Sequence, residues 1–113
     1  DNSAKLLFLL RKMNENEEKY PKFVYVLELE DDCWYIGITN NLNKRYYQHC
    51  NGLGAKWCKL HKPIAIKECL IGDLTLENTK TKEYMEKYGE NFVRGGNWAH
   101  PRSAKIAWYF YRK

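Results

Sequence analysis

At 113 residues the chain makes one domain with room for a single core. Nineteen Lys and Arg against fourteen Asp and Glu give a net charge of +5 and a pI near 9.0, with no acid between Lys44 and Lys67, a stretch that favours a polyanionic partner. The apolar run Ala4 to Leu10, broken by Lys5, is too short to span a bilayer or to form a cleavable leader, which excludes a membrane-spanning class and reads as a soluble, intracellular domain.

Leu6, Leu10 and Met13 at i, i+4, i+7 predict an amphipathic helix over about Ser3 to Met13, followed by a polar connector to Lys22. Two apolar runs come next, FVYVLEL (Phe23 to Leu29) and CWYIGIT (Cys33 to Thr39). β-branched and aromatic residues fit a pleated surface and an acidic pair favours a turn, so the runs read as a hairpin around Asp31-Asp32. A two-residue loop would put Tyr25 and Tyr35 on opposite faces, because side chains alternate. An odd loop such as Glu30 to Asp32, or a bulge, pairs Tyr25 with Gly37 and puts both phenols on one face; this is the expected register. Asn40 or Asn41 caps a helix from Asn41 to about Cys50, with Leu42, Tyr46 and Cys50 inward and Arg45 and His49 bordering the sheet.

A Gly-containing loop leads to a third strand, Ile64 to Ile71, and then to a helix from about Leu74 to Tyr88 ended by Gly89. On that helix Glu77, Thr81, Tyr84, Met85 and Tyr88 share an arc of about 100°. A glycine-rich exit at Gly95-Gly96 and a C-terminal helix from about Ser103, which reads as truncated, complete the chain. The class is α+β: a small three-stranded antiparallel sheet flanked by helices, with an extra N-terminal helix. Residues 1–22 form the helix and connector, 23–98 the core and 99–113 the last helix. Cys33, Cys50, Cys58 and Cys69 form no CxxC pair, so they read as reduced, partly buried thiols rather than zinc ligands.

The ordered set Val24-Tyr25, Tyr35-Ile36-Gly37, Arg45 and His49 resembles the GIY-YIG nuclease superfamily. GLGAKWCKLHKP (Gly52 to Pro63) and LENTKTKEYMEKYGENFVRGG (Leu76 to Gly96) extend the resemblance over about Phe23 to Trp98. Phe23-Val24 stands where Gly-Ile is usual, but both are apolar strand formers. The resemblance implies a divalent-metal-dependent DNA endonuclease that leaves 5′-phosphate and 3′-hydroxyl ends, with Mg2+ (or Mn2+) held by Glu77. It also implies that a motif tyrosine activates water.

The residues themselves fit those roles. Arg45 is always charged and can grip two phosphate oxygens. A tyrosine is a weak base at neutral pH and needs cationic neighbours to favour the phenolate; Tyr25 is expected as the base with Tyr35 orienting the water, the reverse staying open. His49 would relay the proton or hold the phosphate, and Gly37 would leave a gap beside Tyr25 for that phosphate. Glu77 is open to a second reading, an acid stabilised by the first turn of its helix. Lys44, Lys56, Trp57, Lys59, Lys62 and Arg94 are the candidate nucleic-acid contacts, with Trp57 either stacking on a base or packing in the core, and Arg94 either reaching a phosphate or bracing its loop. The alternative to an enzyme is a binding module on the same fold that does not cleave. The sequence carries no specificity element, and substrate preference, biological role and oligomeric state stay open.

Overall fold

The computed structural model describes residues 3–7 and 21–101. Residues 3–7 are helical, as expected; the rest of the N-terminal helix and the C-terminal helix lie outside the described residues. The hairpin forms from β1 (Phe23–Leu29) and β2 (Trp34–Thr39), joined through Glu30–Asp32. Asp31 and Asp32 take φ of 65° and 58°, the left-handed region that a short polar side chain tolerates. Cys33 carbonyl accepts the Leu29 N–H at 2.9 Å and closes the loop. With three residues in the turn, Tyr25 pairs with Gly37 and Leu27 with Tyr35, so the two phenols share a face in the expected register.

Asn41 caps helix α1 (Leu42–Cys50) by accepting the Lys44 N–H at 3.1 Å. The loop expected beyond it contains a further short helix, α2 (Lys56–Leu60), too brief for hydrophobic periodicity to announce. Strand β3 (Pro63–Ile71) then pairs antiparallel with β1, with irregularities between Val26 and Leu27 and between Glu28 and Leu29. Helix α3 (Leu74–Tyr88) starts where the Asp73 carboxylate accepts from Thr75 and Leu76 N–H, and stops at Gly89 with φ 101°.

Strand β4 (Val93–Gly95) runs parallel to β2, giving the order β3-β1-β2-β4. The sheet is therefore four-stranded and mixed, not three-stranded and antiparallel. Three residues beside Gly95-Gly96 carry too little alternation to read as a strand.

Two cores lie on the two sides of this sheet. Even-numbered strand residues Val24, Val26, Trp34 and Ile36 pack with Tyr84, Met85, Val93 and Trp98 beneath α3. Odd-numbered Tyr25, Leu27, Leu29 and Cys33 pack with Trp57 and Cys58 of α2 and with Leu42 and Tyr46 of α1. Each fully buried Leu, Val or Ile adds about 1.5–3 kcal/mol. The Tyr84 hydroxyl donates to Glu68, whose other oxygen takes Lys80 at 3.1 Å, tying β3 to α3. Among the described residues no helix is long and apolar enough to cross a membrane.

Candidate active site

Alternation along the hairpin points Tyr25 and Tyr35 to the side covered by α1, and the last turn of α1 brings His49 onto them. The three rings form a triangle, with centroids 6.4 Å apart for Tyr25 and Tyr35, 5.8 Å for Tyr25 and His49, and 5.2 Å for Tyr35 and His49. Tyr25 is 1% exposed, and its hydroxyl oxygen lies 2.7 Å from His49 Nε2. On its other side His49 Nδ1 lies 3.2 Å from the Ala55 backbone nitrogen. A Cβ on Gly37 would strike the Tyr25 hydroxyl. The gap expected there for a phosphate is thus filled by the phenol itself, and only glycine admits it.

Arg45 sits one turn before His49, half-buried, where its charge acts on Tyr25, Tyr35 and His49 together. Burial pushes both phenols up, Tyr25 furthest and Tyr35 to about 12, and Arg45 opposes the rise in each. Burial, with Arg45 adding to it, lowers His49 to about 4. Arg45 also lines an open groove of about 230 Å³ with Thr39, Asn40, Asn41, Lys44 and Gln48. The groove has no acid in its lining, so an anion meets two cations and several amides.

Glu77 belongs to α3, on the opposite side of the sheet from the rings. Trp34 rings pack against Tyr84 at 5.3 Å and stack on Tyr88 at 4.6 Å, whereas Gly95 and Ile36 lie under Thr81. The helix thus runs antiparallel to β2, and one further turn brings Glu77 level with the end of β2 that β4 leaves uncovered. There its carboxylate adds to the rise at Tyr35, after burial and Cys58. Glu77 is 8% exposed and burial raises it. Its carboxylate makes no ion pair or hydrogen bond with the described residues, while its backbone carbonyl accepts the Thr81 hydroxyl at 2.7 Å.

The predicted nucleic-acid contacts divide. Lys44, Lys56, Lys59 and Lys62 are exposed, the first on the groove. Trp57 is 6% exposed; its indole N–H donates to Trp34 carbonyl at 3.1 Å, and it lies between Arg94 at 4.3 Å and the edge of His61 at 4.4 Å. It is core, not a stacking platform. Arg94 is equally buried and donates to the carbonyls of Glu90, Val93 and Pro101, so it braces the exit loop instead of reaching a phosphate. Sequence reasoning missed the Ala55 N–H and the groove residues Thr39 and Gln48. The glycines of Gly52-Leu53-Gly54 were the available signal for the first; nothing marked the second.

The sequence model of the GIY-YIG catalytic domain matches residues 21–90, which hold both tyrosines, Arg45, His49 and Glu77. The chain belongs to the GIY-YIG catalytic domain family. That family is a nuclease family. UPF0213 protein YazA of Bacillus subtilis is 43% identical over 44 residues, 39% of this chain and 44% of that protein. A UPF0213 protein of Bacillus cereus is 40% identical over 88 residues, covering 67% of this chain and 91% of its own length. The UPF0213 protein FN1575 of Fusobacterium nucleatum is 33% identical over 76 residues, 63% and 75% of the two chains. This chain therefore spans under half of YazA and most of the other two. No solved structure matches it. In this GIY-YIG domain the hairpin and α1 form the ring cluster, and α3 carries Glu77 on the other side of the sheet, from where its charge still reaches Tyr35.

Proposed function

We propose that this domain is a divalent-cation-dependent DNA endonuclease that hydrolyses a phosphodiester to leave 5′-phosphate and 3′-hydroxyl ends. The observation that supports this most is the meeting of two phenols, an imidazole and a half-buried guanidinium on one face, with the Glu77 carboxylate acting on Tyr35 from across the sheet. Among the described residues no group of three or more His, Cys, Asp or Glu could hold a metal by itself. A lone carboxylate still fits magnesium, which keeps its waters and is often bound through one or two carboxylates with a substrate phosphate. Glu77 fits that role because its carboxylate has no ion pair among the described residues, is raised by partial burial and still reaches solvent, where a hydrated cation can join it. A bound Mg2+ or Mn2+ would polarise the scissile phosphate and stabilise the leaving oxygen.

Arg45 clamps the same phosphate and balances charge as the fifth oxygen approaches. Lys44 and the groove beside Arg45 hold the neighbouring sugar-phosphate, and Lys56, Lys59 and Lys62 extend the cationic track. Tyr25 removes the proton of the attacking water and Tyr35 orients that water. The greater exposure of Tyr35 and its smaller rise favour a second reading with the two roles exchanged. Tyr25→Phe and Tyr35→Phe separate them: the base variant loses kcat at every pH, whereas the orienting variant keeps the wild-type pH dependence.

The deciding assay is supercoiled plasmid with magnesium. Nicking that EDTA abolishes and Arg45→Ala lowers by about 100-fold or more supports the enzyme. Tight binding without nicking, across magnesium and manganese buffers, identifies a binding module instead.

A further inference from the structure

His49 is held at both ring nitrogens, and the two partners are not equivalent. Nδ1 faces the Ala55 backbone nitrogen at 3.2 Å, and Nε2 faces the Tyr25 hydroxyl at 2.7 Å. A peptide N–H can only donate, so Nδ1 is the unprotonated nitrogen. The single proton of the neutral ring then sits on Nε2 and is donated to the Tyr25 oxygen. It follows that the phenol's own O–H turns away from His49.

The segment after α1 is shaped for this contact. Asn51 donates its backbone N–H back to α1, and Gly52 at φ 72° reverses the chain. Gly54 backs onto His49 Nδ1 so closely that a Cβ would collide with the imidazole. Ala55, at φ −61° and ψ 144°, sits just ahead of α2 and aims its N–H at the ring before the chain turns into the helix.

We infer that Ala55 is a positioning residue: its backbone N–H fixes the tautomer of His49, which makes His49 a hydrogen-bond donor to Tyr25 and not the acceptor of the Tyr25 proton. The tautomer rests on geometry alone; its catalytic consequence rests on the proposed reaction. When Tyr25 becomes the base, its O–H bond breaks, the proton passes to a cleft water, and the electron pair stays on the oxygen. There it is held by the His49 N–H and by Arg45. A relay through His49 would need a free nitrogen, and Ala55 already occupies the second one.

Long-range proton–nitrogen correlation spectra of the full chain labelled with ¹⁵N-histidine read the tautomer directly at neutral pH. The expected result is one neutral form with Nδ1 unprotonated; a ring protonated on Nδ1, or an average of both forms, overturns the inference. Replacing the Gly54–Ala55 amide with an ester deletes the donor and leaves every side chain in place. That variant is expected to average the two tautomers and to lower kcat about tenfold at unchanged KM. Retention of the single Nε2–H form in the ester variant would show that Ala55 does not set it. A wild-type protein that cleaves nothing would sink the proposed reaction while the spectra still decide the tautomer.

Discussion

On the α3 side of the sheet, Val24, Val26, Trp34 and Ile36 meet Tyr84 and Met85 in an almost wholly apolar layer. On the α1 side, the alternate residues of the same two strands bring phenols against an imidazole and a guanidinium. One hairpin therefore feeds two environments, sorted by the parity of residue number. The even face is mostly apolar, with Thr81 and Glu77 of α3 as its buried polar groups. The odd face buries titratable groups, and burial moves each toward its neutral form: the phenols up, His49 down. That is unfavourable for folding wherever the unfolded chain would be charged, and it keeps the groups from being spent on solvent before a phosphate and a cation arrive.

Trp34→Ala should separate the faces most sharply. It removes a ring that packs against both Tyr84 and Tyr88, and should cost about 3–5 kcal/mol in denaturant unfolding. A small loss there would mean that the α3 face is not the main support. Arg45→Ala should do the reverse, with cleavage down about 100-fold or more and a melting temperature close to wild type. The contrast sharpens with Arg94→Ala: this buried guanidinium is held by three carbonyls, so its loss should lower stability before it touches DNA affinity.

His49 sets a pH test of the odd face. Its folded pKa of about 4 lies below its ordinary value of 6.5. The unfolded chain therefore binds a proton first as pH falls. The neutral ring's contribution is fully present above pH 6.5 and is lost progressively from there down to about 4, where the loss approaches about 3 kcal/mol. Protonation would also set an Nδ1–H against the Ala55 N–H. Urea midpoints measured across this window should fall with acid in the wild type and fall less in His49→Gln; equal slopes would contradict the buried neutral ring. The smallest effect belongs to the exposed lysines. Replacing Lys44, Lys56, Lys59 or Lys62 singly by Ala should weaken DNA binding modestly and reduce the slope of log affinity against log salt by about 1 each. A lysine whose loss leaves that slope unchanged lies off the DNA track.

Much of this was legible in the chain. Tyr25 and Tyr35 were placed on one face by strand alternation and an odd turn, and Arg45 and His49 were placed beside the sheet by helix periodicity. Strand β4 was not, because Val93-Arg94-Gly95 is too short to show a period and takes its pairing from β2. Trp57 stays open in the sequence because a basic-aromatic interleave looks the same whether the ring faces DNA or the core; the short helix α2 turns Lys56 and Lys59 outward and Trp57 and Cys58 inward. Arg94 stays open likewise, because a buried guanidinium is satisfied by carbonyl oxygens that only the tertiary fold assembles. The Ala55 N–H is a backbone group, carried by every non-proline residue, so no side-chain pattern could single it out.

The most direct test of a cleft that joins these groups around a phosphate and a cation pairs two readouts on Glu77→Gln. In the wild type, burial of the carboxylate opposes folding above its ordinary pKa, and a cation should relieve that penalty. Magnesium should therefore raise the wild-type melting temperature and support plasmid nicking, while Glu77→Gln should melt no lower than wild type without metal, show no magnesium shift and nick at least about 100-fold more slowly. A Glu77→Gln protein that nicks at the wild-type rate, or that keeps the full magnesium shift, would contradict the account.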